Sequence, residues 1–494
     1  MSTEKYRFAE YFHDFTAEKE QNLLELLRAE GHAPAAPCGG RGLCGKCRVL
    51  LRRDGRTEEV LACRTAVQGP FAVALPEEGG DLSWNEGAAP ARAAEAESRA
   101  GCGAAADLGT TTVALSLFDL ESGLCLGRVS EWNAQKSFGA DVLSRIQACR
   151  EQGGPAPLTE AIRAQLLRML RELCRSCGRA MDEVREIVLA GNTVMQHLFA
   201  GLSPDSIAVP PFTPLSLFDG PGPHSELDGI PVFLSPCVAG YVGGDITAGL
   251  LAAELDRRDE TALFIDVGTN GEMVLRHKGR FTACAVASGP AFEGAGISCG
   301  MPAAFGAVHA AKLTEGALSF RVLGGGEARG LCGSGLLDLA ACLLDRGDLD
   351  ERGRLKKEAE GKAVFRLTEQ VQLTQKDVRQ LQLAKAAVAA GIRLLLQENG
   401  LRPEELDALY LAGGFGSRLN PASAIRIGML PAELRDRILP LSGACLSGAE
   451  QVLLAPAKRA ALLSLKEKCR YLELSGTAAF NQCFIEEMNF PGEE

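Results

Sequence analysis

The chain has 494 residues, 46% of them apolar, with 52 Lys and Arg against 63 Asp and Glu for a net charge of −11. That length accommodates a small module plus a large two-lobed domain, and the acidic balance argues against nucleic acid or an anionic membrane as the main partner. Met1 to Phe12 is interrupted by Glu4, Lys5, Arg7 and Glu10, unlike a signal peptide, and the best candidate for a membrane span, around Leu383 to Leu396, contains Lys385 and Arg393. A cytoplasmic protein is expected, without nucleic-acid or membrane partners. There the 17 Cys stay reduced. Four crowd near the N-terminus and the rest are scattered, which points to metal ligation in one region and buried thiols elsewhere.

Residues 1–76 are expected to form the first domain. Thr16 is placed to cap a helix through Arg28, with Leu23, Leu24 and Leu27 on its apolar face and Gly31 as its stop. Arg48 to Arg53 reads as a strand, Asp54-Gly55 as a hairpin turn and Thr57 to Leu61 as the return strand. Between helix and hairpin lie Cys38, Cys44 and Cys47, and Cys63 follows, in the spacing C-x5-C-x2-C-x15-C. A [2Fe–2S] cluster takes four thiolates. Gly39, Gly40, Gly42 and Gly45 let the loop approach the cluster closely, with N–H groups turned toward sulfur. A structural zinc knot also uses four Cys but pairs two short knuckles, whereas here three ligands share one loop. The segment resembles plant- and adrenodoxin-type ferredoxins, with a shorter interval to the fourth Cys.

Residues 77–101, rich in Ala, Glu and Arg, read as a linker. A simple spacer is the favoured reading, and a tether would also be useful if the cluster must swing between a donor and an acceptor. From residue 102 to 494 the pattern changes. Asp107-Leu-Gly109-Thr110-Thr111 joins two strand-like runs, and the arrangement recurs at Asp266-Val-Gly268-Thr269-Asn270-Gly271-Glu272. Repetition of strand, Asp-x-Gly-Thr turn and strand predicts two similar lobes, roughly 102–260 and 261–494. An Asp at a strand end holds Mg²⁺ through water, and Gly and Thr in the turn offer donors to phosphate. A third element runs from a buried strand into Gly413, Gly414, Phe415 and Gly416, where the glycines let an adenine or ribose lie against the backbone. A fourth, Gly240 to Gly249, opens a helix with Asp245, which either caps that helix or serves as an acid near a γ-phosphate.

In this order the pieces resemble the acetate and sugar kinase, heat-shock cognate and actin superfamily. The phosphate motifs would be Asp107 to Thr111 and Asp266 to Glu272, the adenosine motif Leu411 to Gly416, and the connecting segments the helix carrying Asp245 and Ser442 to Glu450. Together with the cysteine module, the chain resembles the reductive activators of corrinoid proteins. Asn133 to Ile146, Leu189 to Leu198 and Ser288 to Gly294 also match. The fold implied is an α+β ferredoxin-like (β-grasp) [2Fe–2S] module followed by a two-lobed α/β actin-like ATPase. The implied activity is ATP-dependent electron transfer to the Co(II) form of a corrinoid protein of a methyltransferase system, with ATP, Mg²⁺ and a low-potential electron donor, a homodimer being left open. Longer relatives carry an extra middle domain where only the short linker is expected here. Competing readings are a small-molecule kinase, an ATP-gated redox sensor or chaperone, and an activator of 2-hydroxyacyl-CoA dehydratases. Cys174 and Cys177 are expected to be structural, and His197 and His309 to pack or hydrogen-bond.

Overall fold

The computed structural model describes residues 8–9, 11–36, 38–76, 97–268, 270–356 and 363–492. Residues 77–96 of the expected linker and Thr269 lie outside them. By internal contacts the chain divides into two compact units, Met1–Asp245 with Ala449–Arg459, and Ile246–Gly448 with Ala460–Glu494.

The N-terminal module of the first unit comprises β1 (His13–Asn22), α1 (Leu23–Ala29), β2 (Arg48–Arg53), β3 (Arg56–Leu61) and β4 (Ala66–Ala74), with sheet order β1-β4-β2-β3. The helix expected from Thr16 is mostly strand. β1 pairs antiparallel with β4, Thr16 facing Pro70, and the helix begins only at Leu23. Asn22 caps it by accepting from the Leu24 and Glu25 N–H groups at 3.0 and 3.3 Å. Its Leu23, Leu24, Leu26 and Leu27 are buried with Val49, Leu51, Val67 and Val73. The Asp54-Gly55 turn forms as expected, with φ of 51° and 73°, the double positive φ of a type I′ hairpin.

The remainder of this unit holds β5 (Cys102–Leu108), β6 (Thr112–Asp119), β7 (Cys125–Trp132), α2 (Val142–Glu151), α3 (Ala156–Ser176), β8 (Val184–Gly191), α4 (Thr193–Ala200), β9 (Ser225–Leu227), β10 (Ile230–Leu234) and the start of α5 (Gly244–Ala252). The sheet order is β7-β6-β5-β8-β10-β9. β5 is a run of small buried residues, as a central strand covered on both faces requires. In α3, Leu158, Ile162, Leu166, Met169, Leu170 and Leu173 form the buried stripe. Cys174 is buried there, and Cys177 caps the helix with its thiol on the Leu126 carbonyl at 3.4 Å.

The second unit contains β11 (Ala262–Val267), β12 (Gly271–His277), β13 (Arg280–Val286), β14 (Ala307–Thr314), β15 (Ala317–Val322), β16 (Gly330–Leu331), α6 (Gly333–Asp345), β17 (Val364–Arg366), β18 (Gln372–Thr374), α7 (Gln375–Glu398), β19 (Ala408–Ala412), α8 (Pro421–Arg426), β20 (Ile438–Pro440), part of α9 (Ala444–Leu454), most of α10 (Lys458–Lys468), β21 (Cys469–Tyr471) and α11 (Ala478–Glu486). Its main sheet runs β20-β19-β11-β12-β13-β21. Read outward from the turn-bearing strand, the two large sheets share one plan. β5 and β11 each pair antiparallel with the next strand, which pairs antiparallel with the one after. On the other side β8 and β19 lie parallel to them. The two turns therefore occupy equivalent places in duplicated sheets. The chain changes unit within α5, after Asp245, within α9, after Gly448, and within α10, after Arg459. The boundary expected at 260 thus lies beyond the first of these changes. No described helix is long and apolar enough to cross a membrane.

Candidate functional site

The cysteine loop is built on positive φ. Gly39, Gly40, Gly42 and Gly45 adopt 69°, 94°, 72° and 66°, conformations glycine enters without strain. The four thiols come as two pairs. Cys38 shares a hydrogen bond with Cys44, and Cys63 with Cys47. Among the described residues no three His, Cys, Asp or Glu side chains gather as ligands of one ion. Two pairs fit a two-iron cluster with two thiolates on each iron better than a single tetrahedral zinc. Burial alone would raise the Cys38 thiol, but the Cys44 backbone and side chain, then the Leu43 and Gly40 N–H groups, hold it down to about 6. Cys63 is pushed up to about 11, first by burial and then by Cys47. The N–H groups around Cys38 are thus already arranged to stabilise a thiolate.

This loop does not stand apart from the ATPase-like sheet beside it. The guanidinium of Arg28, on α1, donates to the Gly39 carbonyl at 3.1 Å and to the Ser137 carbonyl, and lies 4.4 Å from the Phe138 ring centre. The Ala36 N–H donates to the Lys136 carbonyl at 3.2 Å. The N-terminal module is therefore docked on residues 136–138.

The same segment supports the first Asp turn. Asp107 sits on β5 opposite Ala114 of β6 and Ala190 of β8, and Gly109, Thr110 and Thr111 form the turn between β5 and β6. The Asn133 side chain donates to the Gly109 carbonyl at 2.8 Å, and its N–H to the Thr111 carbonyl at 2.9 Å. Asn192, after β8, donates to the Thr110 hydroxyl at 2.9 Å. Arg145 is 1% exposed and donates to the carbonyls of Thr110 and Gly139 and to Gln135. Burial pulls its pKa down to about 9, with Asp141 opposing. Asp245 stands in the first turn of α5.

In the second unit Asp266 occupies the equivalent place on β11, directly opposite Glu272 of β12 and Ala412 of β19. Two carboxylates opposite one another on one sheet face repel, and a hard cation would offset that. Gly268 donates to the Asn270 carbonyl at 2.9 Å and accepts from the Ser288 hydroxyl at 3.2 Å. The glycine turn closes on the same strand end. A Cβ on Gly413 would stand 2.4 Å from an Asp266 carboxylate oxygen, and Gly416 lies against Val267. Gly414 faces open space, and Phe415 stacks on Phe292 at 4.6 Å with the rings 6° from parallel. The structure thus brings together Asp266, Gly268, Asn270, Glu272 and Gly413 to Gly416.

Glu450, from the expected second connecting segment, is held by Arg128 through contacts of 2.9 to 3.1 Å; burial nevertheless raises its pKa. Gly448 packs against the Ala248 backbone, where a Cβ would meet the carbonyl oxygen at 2.0 Å. His197 is a fully satisfied core group: its Nε2 accepts from Ser216 N–H, so its Nδ1 donates to the Thr193 carbonyl. Sequence reasoning did not single out Asn133, Arg145, Asn192 or Ser288 as site residues. All four lie in stretches noted only as matching, and their polar character in otherwise apolar surroundings was the available signal.

Comparison with known proteins bears on the whole chain. The family described as "2Fe-2S iron-sulfur cluster binding domain" matches residues 12–68, the "RACo middle region" 102–258, and the "C-terminal domain of RACo the ASKHA domain" 260–494. The middle-region match covers the stretch expected as the first ATPase lobe. The corrinoid activation enzyme RamQ of Eubacterium limosum is 30% identical over 78% of this chain and 69% of its own. The Co(II) methylated amine-specific corrinoid protein reductase of Methanosarcina barkeri is 25% identical over 78% of this chain and 77% of its own. A solved reductive activator for corrinoid, iron-sulfur protein superposes with a TM-score of 0.69 and 29% identity, covering 97% of both chains. With a ferredoxin-type module, a duplicated Asp-turn sheet and these relatives along its length, the chain belongs to the family of reductive activators of corrinoid proteins.

Proposed function

We propose that the chain is an ATP-dependent reductive activator that transfers single electrons to the Co(II) form of a corrinoid protein, restoring Co(I) for methyl transfer. The observation that carries the reading is the coexistence, in one compact unit, of a paired-cysteine loop and an Asp107 turn whose duplicate recurs at Asp266. Family membership supports it, and so do relatives named for corrinoid activation and for Co(II) corrinoid protein reduction.

Cys38, Cys44, Cys47 and Cys63 would hold a [2Fe–2S] cluster, which when bound supplies one electron at a time at low potential. The Cys44, Leu43 and Gly40 N–H groups stabilise negative charge at the Cys38 end. Asp107 in the first unit and Asp266 in the second, with Glu272 beside it, would each serve Mg²⁺ through water. Gly109, Thr110 and Thr111, and Gly268, Thr269 and Asn270, would hold phosphates. Gly413, Gly414, Phe415 and Gly416 would line the adenosine end, and Asp245 would act near the γ-phosphate. Each 59 mV of mismatch in a one-electron step is about a tenfold penalty, so ATP must favour the state in which the electron stays on cobalt. The partner is a corrinoid protein, and the electrons come from a low-potential donor.

The test is Co(I) accumulation, followed by absorbance, with a mild reductant and a corrinoid partner. Accumulation should require ATP. Equal yield without nucleotide overturns the reading.

A further inference from the structure

Arg28 and Arg145 stand at the two ends of one continuous set of buried and half-buried contacts. At one end is the Thr110 carbonyl, in the turn proposed to hold phosphate. Arg145 bonds it, and also the Gly139 carbonyl and the Gln135 side chain. Asn133 ties the Gly109 carbonyl to the same segment and caps its short helical turn, accepting from the Gln135 N–H at 2.8 Å. That turn, Ala134–Ser137, ends at the Ser137 carbonyl, which Arg28 bonds. Arg28 then bonds the carbonyl of Gly39, next to Cys38. Asn133, Gln135, Ser137 and Arg145 are all at most 2% exposed.

The cluster end is equally confined. The Arg28 side chain is 4% exposed, and its buried Nε–H has no acceptor among the described residues. A Cβ on Gly39 would meet the Phe138 carbonyl at 3.0 Å, so loop and turn are in backbone contact. A desolvated guanidinium in which one Nη donates to a carbonyl of the cysteine loop and to a carbonyl of the other segment, while the other Nη is held by Glu25 at 2.6 Å, transmits displacement rather than absorbing it. After burial and the Glu25 carboxylate, Cys47 and Cys63 also act on this cation. An electron added to the cluster would pull on it.

We propose that Arg28 is a positioning residue that couples nucleotide occupancy at the Thr110 turn to the redox state of the cluster, through residues 133–145. This rests on the functional reading above. Coupling is reciprocal at equilibrium, so it can be read as nucleotide affinity without measuring activation. The experiment is titration of the full-length, cluster-loaded protein with a non-hydrolysable ATP analogue, in the oxidised and in the dithionite-reduced state. The affinities should differ by about fivefold or more, with a matching shift of the midpoint potential when nucleotide is bound. In Arg28→Lys, which keeps the charge and loses the planar group that reaches Glu25 and both carbonyls together, and in Phe138→Ala, the ratio should fall toward one. Cluster absorption and oxidised-state affinity should stay at wild-type values. Equal affinities in both redox states of the wild type overturn the coupling while leaving the functional reading intact, as does a ratio unchanged in both variants. Absence of nucleotide binding in either state overturns both.

Discussion

Gly413 and Asp266 meet at the end of one pair of parallel strands: a Cβ on the glycine would lie 2.4 Å from the carboxylate, and the glycine φ is +84°. Both facts forbid a side chain there. Gly413→Ala must either displace Asp266 or distort the turn, at a cost of about 1–3 kcal/mol for the backbone conformation alone. The expected outcome is loss of nucleotide binding, measured by calorimetry, with an unchanged cluster absorption spectrum. The cysteine loop is in the other compact unit, so simultaneous loss of the cluster would contradict this assignment.

The paired arrangement of the thiols sets iron stoichiometry. Reconstituted protein should contain two irons per chain and, when reduced, give one axial EPR signal of about one spin. Cys47→Ala and Cys63→Ala remove ligands from one pair, Cys38→Ala and Cys44→Ala from the other, and each should abolish that signal. Retention of zinc under anaerobic reducing purification, or four irons per chain, would show that the two pairs do not serve a two-iron cluster.

Much of this was legible in the residues. The duplicated Asp turns could be read because each sits between two largely apolar strand-like runs, a local pattern. The cysteine loop could be read because its ligands are close in sequence. The segment from Thr16 to Asn22 was misread, because its Glu, Lys and Gln residues carry helix propensity. Pairing with β4 overrides that preference, and no local signal announces the pairing. The docking of Arg28 on Ser137 was equally invisible. Nothing in the spacing says which carbonyl a distant guanidinium will reach.

The Arg128–Glu450 pair gives a pH-dependent prediction. Glu450 has a raised pKa because burial outweighs the attraction of Arg128 and the Ser116 and Arg128 hydrogen bonds. An acid raised in the folded state binds more protons there than in the unfolded chain. Its contribution to stability is therefore greatest at low pH and is lost as pH rises from the unfolded value through the folded one. Arg128→Ala removes the partner and leaves a carboxylate that is 9% exposed. The loss should be about 3–5 kcal/mol when that carboxylate is charged and smaller near pH 5. Urea midpoints at pH 5 and pH 8 check this, and a deficit independent of pH would show that Arg128 acts through packing alone.

Asp107 and Asp266 occupy equivalent positions on β5 and β11, each with a parallel neighbour on one side and an antiparallel one on the other. If the duplication serves one nucleotide chemistry, neither turn can replace the other. Asp107→Ala and Asp266→Ala should each reduce ATP hydrolysis by about 10² or more, the scale of losing one preorganised electrostatic contribution to a transition state. Neither aspartate is among the proposed cluster ligands, so both variants should still take up an electron from dithionite, giving the wild-type EPR signal. Neither should sustain Co(I) in the corrinoid partner. Hydrolysis at the wild-type rate in one variant would mean that its turn is structural, and that the duplicated sheets have divided their roles. Hydrolysis lost together with the EPR signal would mean instead that the substitution unfolds the chain, and a hydrogen-exchange comparison of β5 and β11 separates that outcome from a chemical one.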